Sequence, residues 1–341
     1  MVADSELLDG DLDEIISNSL EKLKKLDGSR ISILGGTGFI GKWLVSSLLR
    51  ARYEYKLNYE INIVTRSEQN STELFAKQKI RFIEHDLTKS SLALPPSDYF
   101  IHGSTPSVPS TGSLNSSAVI NSTLNGSISI LGAIEKNPNV KSALFLSSGA
   151  VYGQQPLSLS HQPEEEVLIP NLTTTSYGMS KIQSEILFSQ MKLNYGIPIS
   201  TPRLFAFYGP HLALNDHFAI GNFFRDAREG QPIRLMGNPQ TTRSYMYPTD
   251  LIKSLIELLV YPDSSIINLG SSVPITMINL AESVRDFFGH GEIQLSGSGS
   301  HPSNYVPETR WLQQKFGESE QTKLQEGLKR WESWLTNRSH F

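Results

Sequence analysis

The chain has 341 residues, 38% of them hydrophobic and none of them cysteine, with a formal net charge of −4 at pH 7. Length and apolar content suffice for a large core, in one long domain or two closely joined ones; the lack of cysteine excludes a disulfide framework and thiolate metal sites and agrees with a reducing, cytoplasmic setting. The weak negative charge, with no long Lys/Arg run, leaves no electrostatic reason for nucleic acid or an anionic membrane as the main partner.

Residues 1–29 form an N-terminal extension that begins acidic and lacks the basic start and apolar stretch of a secretory signal. From Asp11 to Leu26, the residues Ile15, Ile16, Leu20, Leu23 and Leu26 recur at helical spacing. The pattern predicts an amphipathic helix, and its acidic polar face directs it onto its own chain or a sister subunit rather than a membrane. No run elsewhere approaches the roughly 20 apolar residues of a spanning helix.

Short apolar segments then alternate with helical ones. Strands are predicted at Ile31–Leu34, Ile61–Val64, Ile80–Ile83, Tyr99–Ile101, Ala143–Leu146 and Ile199–Leu204, with crossover helices at Lys42–Arg50, Asn121–Glu135 and Tyr177–Asn194. That rhythm gives βαβ units and a doubly wound parallel sheet covered by helices on both faces. Beyond Tyr208 the pattern becomes Gly/Pro-punctuated, with helices at Ile220–Glu229, Asp250–Val260, Ile278–Phe288 and Gln321–Trp334, and a Gly/Ser-rich loop at Ser296–Ser303. Residues 30–207, with parts of 240–275, are assigned to the sheet domain, and 208–341 mainly to a smaller substrate-binding cap that meets it along a cleft.

Gly35, Gly38 and Gly41 follow the first strand directly and precede its helix. Glycines there allow a tight turn and close approach of a pyrophosphate to unpaired N–H groups, the signature of a Rossmann-type dinucleotide site. The second strand ends in Val64-Thr65-Arg66-Ser67, without an immediate acid for a ribose hydroxyl. Arg66 suits a 2′-phosphate, so NADP(H) is expected; Glu68 keeps NAD possible. Asp86-Leu87 after the third strand suits the adenine edge, although an isolated Asp equally caps a turn. Tyr177 and Lys181 stand four residues apart, on one helix face, where a neighbouring ammonium would favour the phenolate; Ser148, from another segment, is placed to hold a substrate oxygen.

In this order, Leu34-Gly-Gly-Thr-Gly-Phe-Ile-Gly41, Ser147-Ser148-Gly-Ala-Val-Tyr152-Gly153, Tyr177-Gly-Met-Ser-Lys181 with Glu185, and Arg203-Leu-Phe-Ala-Phe-Tyr-Gly-Pro210 resemble the extended short-chain dehydrogenase/reductases, in their nucleotide-sugar epimerase/dehydratase branch. The similarity continues through Gly237–Asp250, Asn268–Gly270 and Tyr305-Val-Pro-Glu308. The resemblance implies that Tyr177 is the catalytic acid/base, that Lys181 lowers its pKa and holds the nicotinamide ribose, and that Ser148 binds the reacting sugar oxygen. It implies cofactor contacts from Gly35, Thr37, Gly38, Phe39, Ile40, Gly41, Arg66, Asp86, Leu87, Ser104 and Leu204. It also implies an Arg243 contact to the nucleotide diphosphate, with Tyr152 and Asn222 lining the sugar pocket.

Three departures narrow the chemistry. In dehydratases of this branch, an Asp-Glu pair follows the catalytic Thr or Ser and removes water; here those positions are Gly149 and Ala150, which argues against a 4,6-dehydratase and against a sugar-acid decarboxylase. An Asn expected before the Tyr-Gly-Pro turn is Ala206, and an Arg expected before the Tyr-x-Pro segment is replaced by Gly297-Ser-Gly-Ser-His301. Glu164-Glu165-Glu166 beside Pro163 reads as a solvated loop, and His211 and His217 lack companions for a metal, so no metal is expected.

The expected activity is therefore NADP(H)- or NAD-dependent redox chemistry at C4 of a nucleotide sugar. Arg66 points to a 4-keto reductase drawing on NADPH; a 4-epimerase with retained NAD is the alternative, and a catalytically silent nucleotide-binding protein is the third. The resemblance further implies a homodimer built on the helices near Asn121–Glu135 and Tyr177–Asn194.

Overall fold

The computed structural model describes residues 9–67, 75, 79–105, 117–137, 139–165, 175–215, 218–262, 266–296, 301–317 and 321–338. Through the first half, the elements are α1 (Asp9–Lys24), β1 (Arg30–Leu34), α2 (Phe39–Glu54), β2 (Glu60–Thr65), β3 (Ile80–Glu84), β4 (Tyr99–His102), α3 (Ser117–Lys136), β5 (Ser142–Phe145) and β6 (Ser147–Ser148). A 3₁₀ turn (Gly149–Tyr152) leads to α4 (Ser176–Tyr195) and β7 (Ile199–Leu204). Then come α5 (Ala219–Arg228), β8 (Ile233–Met236), β9 (Thr242–Arg243), α6 (Pro248–Val260), β10 (Ile266–Leu269), β11 (Ile275–Thr276) and α7 (Met277–Phe288). The last are β12 (Ile293–Ser296), β13 (Asn304–Tyr305), α8 (Arg310–Phe316) and α9 (Leu324–Arg338).

The main sheet runs β3-β2-β1-β4-β5-β7-β10, all parallel, with β6 beside β7. Both faces are covered, so β5 is buried at every position and β1 at every position after Arg30. The chain winds outward from β1 to β3, then returns to the other side of β1 with β4. Strand order thus reverses between β1 and β4, and the crevice at their carboxyl ends is where open α/β sheets bind ligands.

The cap has its own core, in which Phe224 stacks on Trp331 at 4.2 Å between ring centroids, with Tyr208, Tyr247 and Phe223 around them. A parallel β8–β12 pair and a small β11-β9-β13 sheet complete it. The sequence did not announce these strands, since segments of two to four residues carry too little alternation to read. The expected loop at Ser296–Ser303 is partly β12; residues 297–300 lie outside the described residues.

One expectation is corrected. α3 is long and apolar enough, by length and composition, to cross a bilayer, but half of it is buried inside the protein, mainly against α4 and β4, so it is a core helix here. Its Ser, Thr and Asn residues had masked the apolar run.

α1 lies against α2 and α6, burying Leu12, Ile15, Ile16 and Leu23. Four such side chains contribute roughly 6–12 kcal/mol of transfer free energy before entropy is counted. Asp11, buried on the same face, accepts hydrogen bonds from Tyr247 Oη (2.8 Å) and Arg330 Nη1 (2.9 Å), while Glu14 receives Lys253 (2.9 Å) and Arg330 (2.7 Å). The extension therefore clasps the C-terminal helix α9 to the sheet domain. Asp11→Ala strands the buried Tyr247 hydroxyl and part of Arg330, and should lower unfolding free energy by about 2–3 kcal/mol. Urea denaturation measures it; a loss below about 0.5 kcal/mol contradicts the clasp.

Candidate active site

The β1–α2 turn is shaped by backbone proximity. Gly35 adopts φ +94°, and a Cβ there would lie 2.7 Å from the Gly103 carbonyl carbon; a Cβ on Gly41 would lie 2.2 Å from Gly35 O. Gly38 tolerates more, its virtual Cβ meeting Gly35 O at 3.5 Å, but it is the N-cap of α2 and offers no side-chain acceptor. The first N–H groups of α2, at Phe39 and Ile40, are thus left for an anion. Thr37 is half-buried in the turn, and Phe39 stacks on Phe207 at 4.8 Å. Ser104 follows the contact with Gly35, its Oγ 3.2 Å from Ser122 Oγ.

Arg66 projects from the end of β2, exposed and without a hydrogen bond or ion pair among the described residues; Glu68 lies outside them. Asp86 accepts from Thr88 N (3.0 Å) and Thr88 Oγ1 (2.7 Å), and these bonds hold its carboxyl below the usual range. Its side chain is thus occupied in capping a turn, the simpler of the two roles it had. Leu87 beside it is buried, with its carbonyl taken by Asn125 Nδ2 at 2.8 Å.

Ser148, Tyr177 and Lys181 come together at the carboxyl end of the sheet. Ser148 ends β6 and caps the 3₁₀ turn, accepting from Ala150 N at 3.2 Å. Thr175 caps α4 through Gly178 N (3.1 Å), which sets the start of the helix and with it the phase of Tyr177. The Ser148 hydroxyl acts on the Tyr177 phenol, and Lys181 Nζ lies 5.6 Å from the centre of the Tyr177 ring.

The electrostatics differ from the expectation that Lys181 lowers the phenol. Burial pushes Tyr177 up, with the Ser148 hydrogen bond opposing, while the Lys181 ammonium donates instead to Leu146 O at 2.7 Å. Burial also pulls Lys181 down to about 7, against the attraction of Glu185. Desolvation outweighs pairing because no counter-charge touches either group directly.

Behind them, Glu185 accepts from Ser147 Oγ (2.5 Å), Arg203 Nε (3.1 Å) and Arg203 Nη2 (2.8 Å). Arg203 in turn covers the Tyr152 ring at 4.6 Å, and the Tyr152 hydroxyl donates to Asn268 Oδ1 at 2.8 Å. Tyr152 is therefore built into this network, its hydroxyl committed to Asn268. Asn222, on α5, holds Arg225 Nη1 at 3.1 Å. Leu204 is buried at the end of β7, and its carbonyl accepts from Tyr305 Oη at 3.3 Å.

Arg243 stands on β9 with its guanidinium on Thr242 O (2.9 Å), Ser303 O (3.1 Å) and Ser303 Oγ (3.1 Å), and with no carboxylate partner among the described residues. Burial pulls its pKa below the ordinary value. A desolvated cation lacking a counter-charge favours an anionic ligand.

Three groups had no assigned part. Tyr305 lies beside Ser148, with its ring 4.5 Å from Phe205; a lone Tyr after a Gly/Ser-rich stretch gives no periodic signal. His102 is fully buried on β4, its Nε2 2.8 Å from Thr123 O, and burial, then Lys181, pushes it to about 3. Glu164 is not solvated as the acidic run suggested: it is half-buried, accepts from Asn268 N at 2.7 Å, and is pushed up to about 7, first by burial. Glu166 and His217 lie outside the described residues, while His211 packs on Trp334 at 4.9 Å. Among the described residues no three metal-ligating side chains cluster.

The model of the NAD dependent epimerase/dehydratase family matches residues 31–270. The chain belongs to that family. UDP-glucuronic acid decarboxylase 3 of Arabidopsis thaliana is 29% identical over 303 residues, covering 88% of this chain and 86% of its own. Among solved structures, UDP-glucose 4-epimerase of Thermotoga maritima matches with a TM-score of 0.78 at 20% identity, over 91% of this chain and 99% of its own. The dTDP-glucose 4,6-dehydratase of Bacillus anthracis, in complex with NAD, matches with a TM-score of 0.75 at 19% identity, over 92% and 98%. These two likenesses are of fold. The family cofactor is a nicotinamide dinucleotide, and the tight turn that Gly35 and Gly41 permit, with the first N–H groups of α2 free of a side-chain cap at Gly38, suits its pyrophosphate.

Two outcomes follow. Gly41→Ala should weaken NAD(P)H binding at least about 100-fold, read by nicotinamide fluorescence, because the turn must open. His102 stays neutral in the folded state to about pH 3, whereas the unfolded chain takes a proton below 6.5. Stability from this group is complete above pH 6.5 and falls as pH drops, by about 2 kcal/mol at pH 5. His102→Asn should flatten that slope in urea titrations at pH 5 and 7; an unchanged slope contradicts the assignment.

Proposed function

We propose that this protein is an NADP(H)-dependent oxidoreductase that reduces the 4-keto group of a nucleotide sugar. The observation that carries the reading is the convergence of Ser148, Tyr177 and Lys181 beside the glycine turn, with Gly149 and Ala150 offering no carboxylate. When bound, the nicotinamide supplies the hydride that reaches the sugar carbon. Ser148 holds the C4 oxygen by a hydrogen bond, and Tyr177 gives that oxygen its phenolic proton. Once the C4 hydroxyl carries its own proton and can donate to Ser148, the Ser148 hydroxyl turns to the phenolate left behind, with the Lys181 charge near the ring. Arg243 receives the diphosphate, which supplies its missing counter-charge.

Elimination of water, or loss of CO2 as in the plant decarboxylases, lacks an acid at the positions where this family would carry one. Arg66, exposed and unpaired among the described residues, supports a 2′-phosphate and hence NADPH as the hydride source. A homodimer is supported by Ile128, Ile186 and Leu193, exposed at 47%, 56% and 73% on the adjacent helices α3 and α4.

The purified protein is offered NADPH with a panel of 4-keto nucleotide sugars, UDP-glucose and UDP-glucuronic acid, with reduced-nicotinamide absorbance and products recorded. Stoichiometric loss of NADPH with a 4-keto sugar is expected. Sugar interconversion without net NADPH loss replaces the reading by a 4-epimerase, and CO2 release by a decarboxylase. Tyr177→Phe should lower kcat by about 10²–10⁴ with little change in KM. Arg66→Glu should raise KM for NADPH at least about tenfold and leave NADH nearly unaffected.

A further inference from the structure

A recess of 910 Å³ opens at the amino edge of the main sheet, between α2 and the first residues of β1, β2 and β3. The catalytic groups stand at the carboxyl edge. β1 and β2 run from this recess to the glycine turn and to Arg66, about 15–20 Å of strand, so the recess belongs neither to the cofactor turn nor to the sugar site.

Its charge is one-sided. Arg30, Arg52, Lys56, Lys79 and Arg81 line it against the single carboxylate of Glu60, in a chain whose net charge is −4. Arg30 is answered by Asp98 at 3.7 Å; among the described residues the other four cations have no carboxylate partner, and Glu60 pairs with none of them. Arg52, half-buried on α2, donates from Nη1 to Tyr59 O (3.3 Å) and Lys79 O (2.9 Å), the residues just before β2 and β3. Two carbonyls thus fix the guanidinium across the strand starts, and three of its five N–H groups keep no partner among the described residues. Burial pulls its pKa down, as for a cation that has lost water without gaining a counter-charge.

Beside the cations runs an apolar strip of Leu57, Pro96 and Tyr53, the last 60% exposed. Small-molecule sites span about 300–1,000 Å³, so the recess has room for a nucleotide, whereas a bare phosphate would fill little of it and leave the strip unused. We infer that this recess is a second ligand site that takes a free nucleoside polyphosphate, its phosphates on Arg52, Lys56, Lys79 and Arg81 and its base against Tyr53. A bounded recess in a weakly negative chain suits a free nucleotide better than a nucleic acid strand.

The site is read by binding alone, whichever reaction the protein catalyses. ATP and inorganic tripolyphosphate are titrated by calorimetry into the full chain saturated with NADPH or NADH. ATP should bind. Lys56→Glu/Arg81→Glu, which alters two exposed side chains, should raise its Kd at least about tenfold and leave the nicotinamide cofactor's within about twofold. Tyr53→Ala should weaken ATP at least about fivefold and leave tripolyphosphate unchanged, since only the nucleotide has a base to stack. Arg243→Ala, at the sugar site, should leave this ATP affinity unaltered. The inference is overturned if ATP does not bind, if the double reversal leaves its affinity intact, if Arg243→Ala abolishes it, or if tripolyphosphate binds as tightly as ATP. A single-stranded oligonucleotide that binds tighter than ATP overturns it in favour of a nucleic-acid surface.

Discussion

The buried pair of Glu185 and Arg203, 4% and 5% exposed, holds the arrangement of the site. Two charges at that depth are costly to desolvate, and here the carboxylate is satisfied by both arms of the guanidinium and by the Ser147 hydroxyl. The three donors come from β7 and β6, so the bonds lock one turn of α4 against the end of the sheet. Lys181 lies one turn before Glu185 and Tyr177 one turn earlier, on the same face, while Ser148 follows Ser147 directly. A single buried interaction thus sets the distance between groups drawn from two distant segments, and Glu185 is also the charge that supports the buried Lys181 ammonium.

The cations around the cleft share an incompleteness. Lys181 is drawn toward neutrality by burial, Arg243 faces only hydroxyls and carbonyls, and Arg66 has no partner among the described residues. His102, beneath them, is neutral and adds no charge. A dianionic nucleotide sugar and a phosphorylated cofactor would each supply negative charge where the protein has left positive charge uncompensated. Proton transfer in the proposed reaction then depends on Tyr177.

The parallel sheet was legible because β1, β2, β4 and β5 are buried at nearly every position and carry short, mainly apolar segments, whereas β7 also buries Ser200, Thr201 and Arg203. The glycine turn was legible because close backbone approach leaves no substitute for glycine at Gly35 and Gly41. Other features depend on tertiary placement. Asp86 could cap a turn or face an adenine, and only Thr88 beside it decides its side chain's role. Glu164 sits in a charge run that reads as solvated, yet folds onto the open edge of β10. Tyr305 acquires its place from strand β13, two residues long, which no periodicity marks. The extension read as amphipathic, but Asp11 inside it, bonded to Tyr247 and Arg330 more than 200 positions away, was visible only in the fold.

The central claim is that this site delivers a hydride to C4 and loses nothing from the sugar. It is tested most directly by incubating the protein with a 4-keto nucleotide sugar and NADPH deuterated at the transferable position, then weighing the product and locating the label. One deuterium at C4, with no loss of water or carbon dioxide, is the predicted result. A product lacking label at C4, or one that has shed water or carbon dioxide, would contradict it.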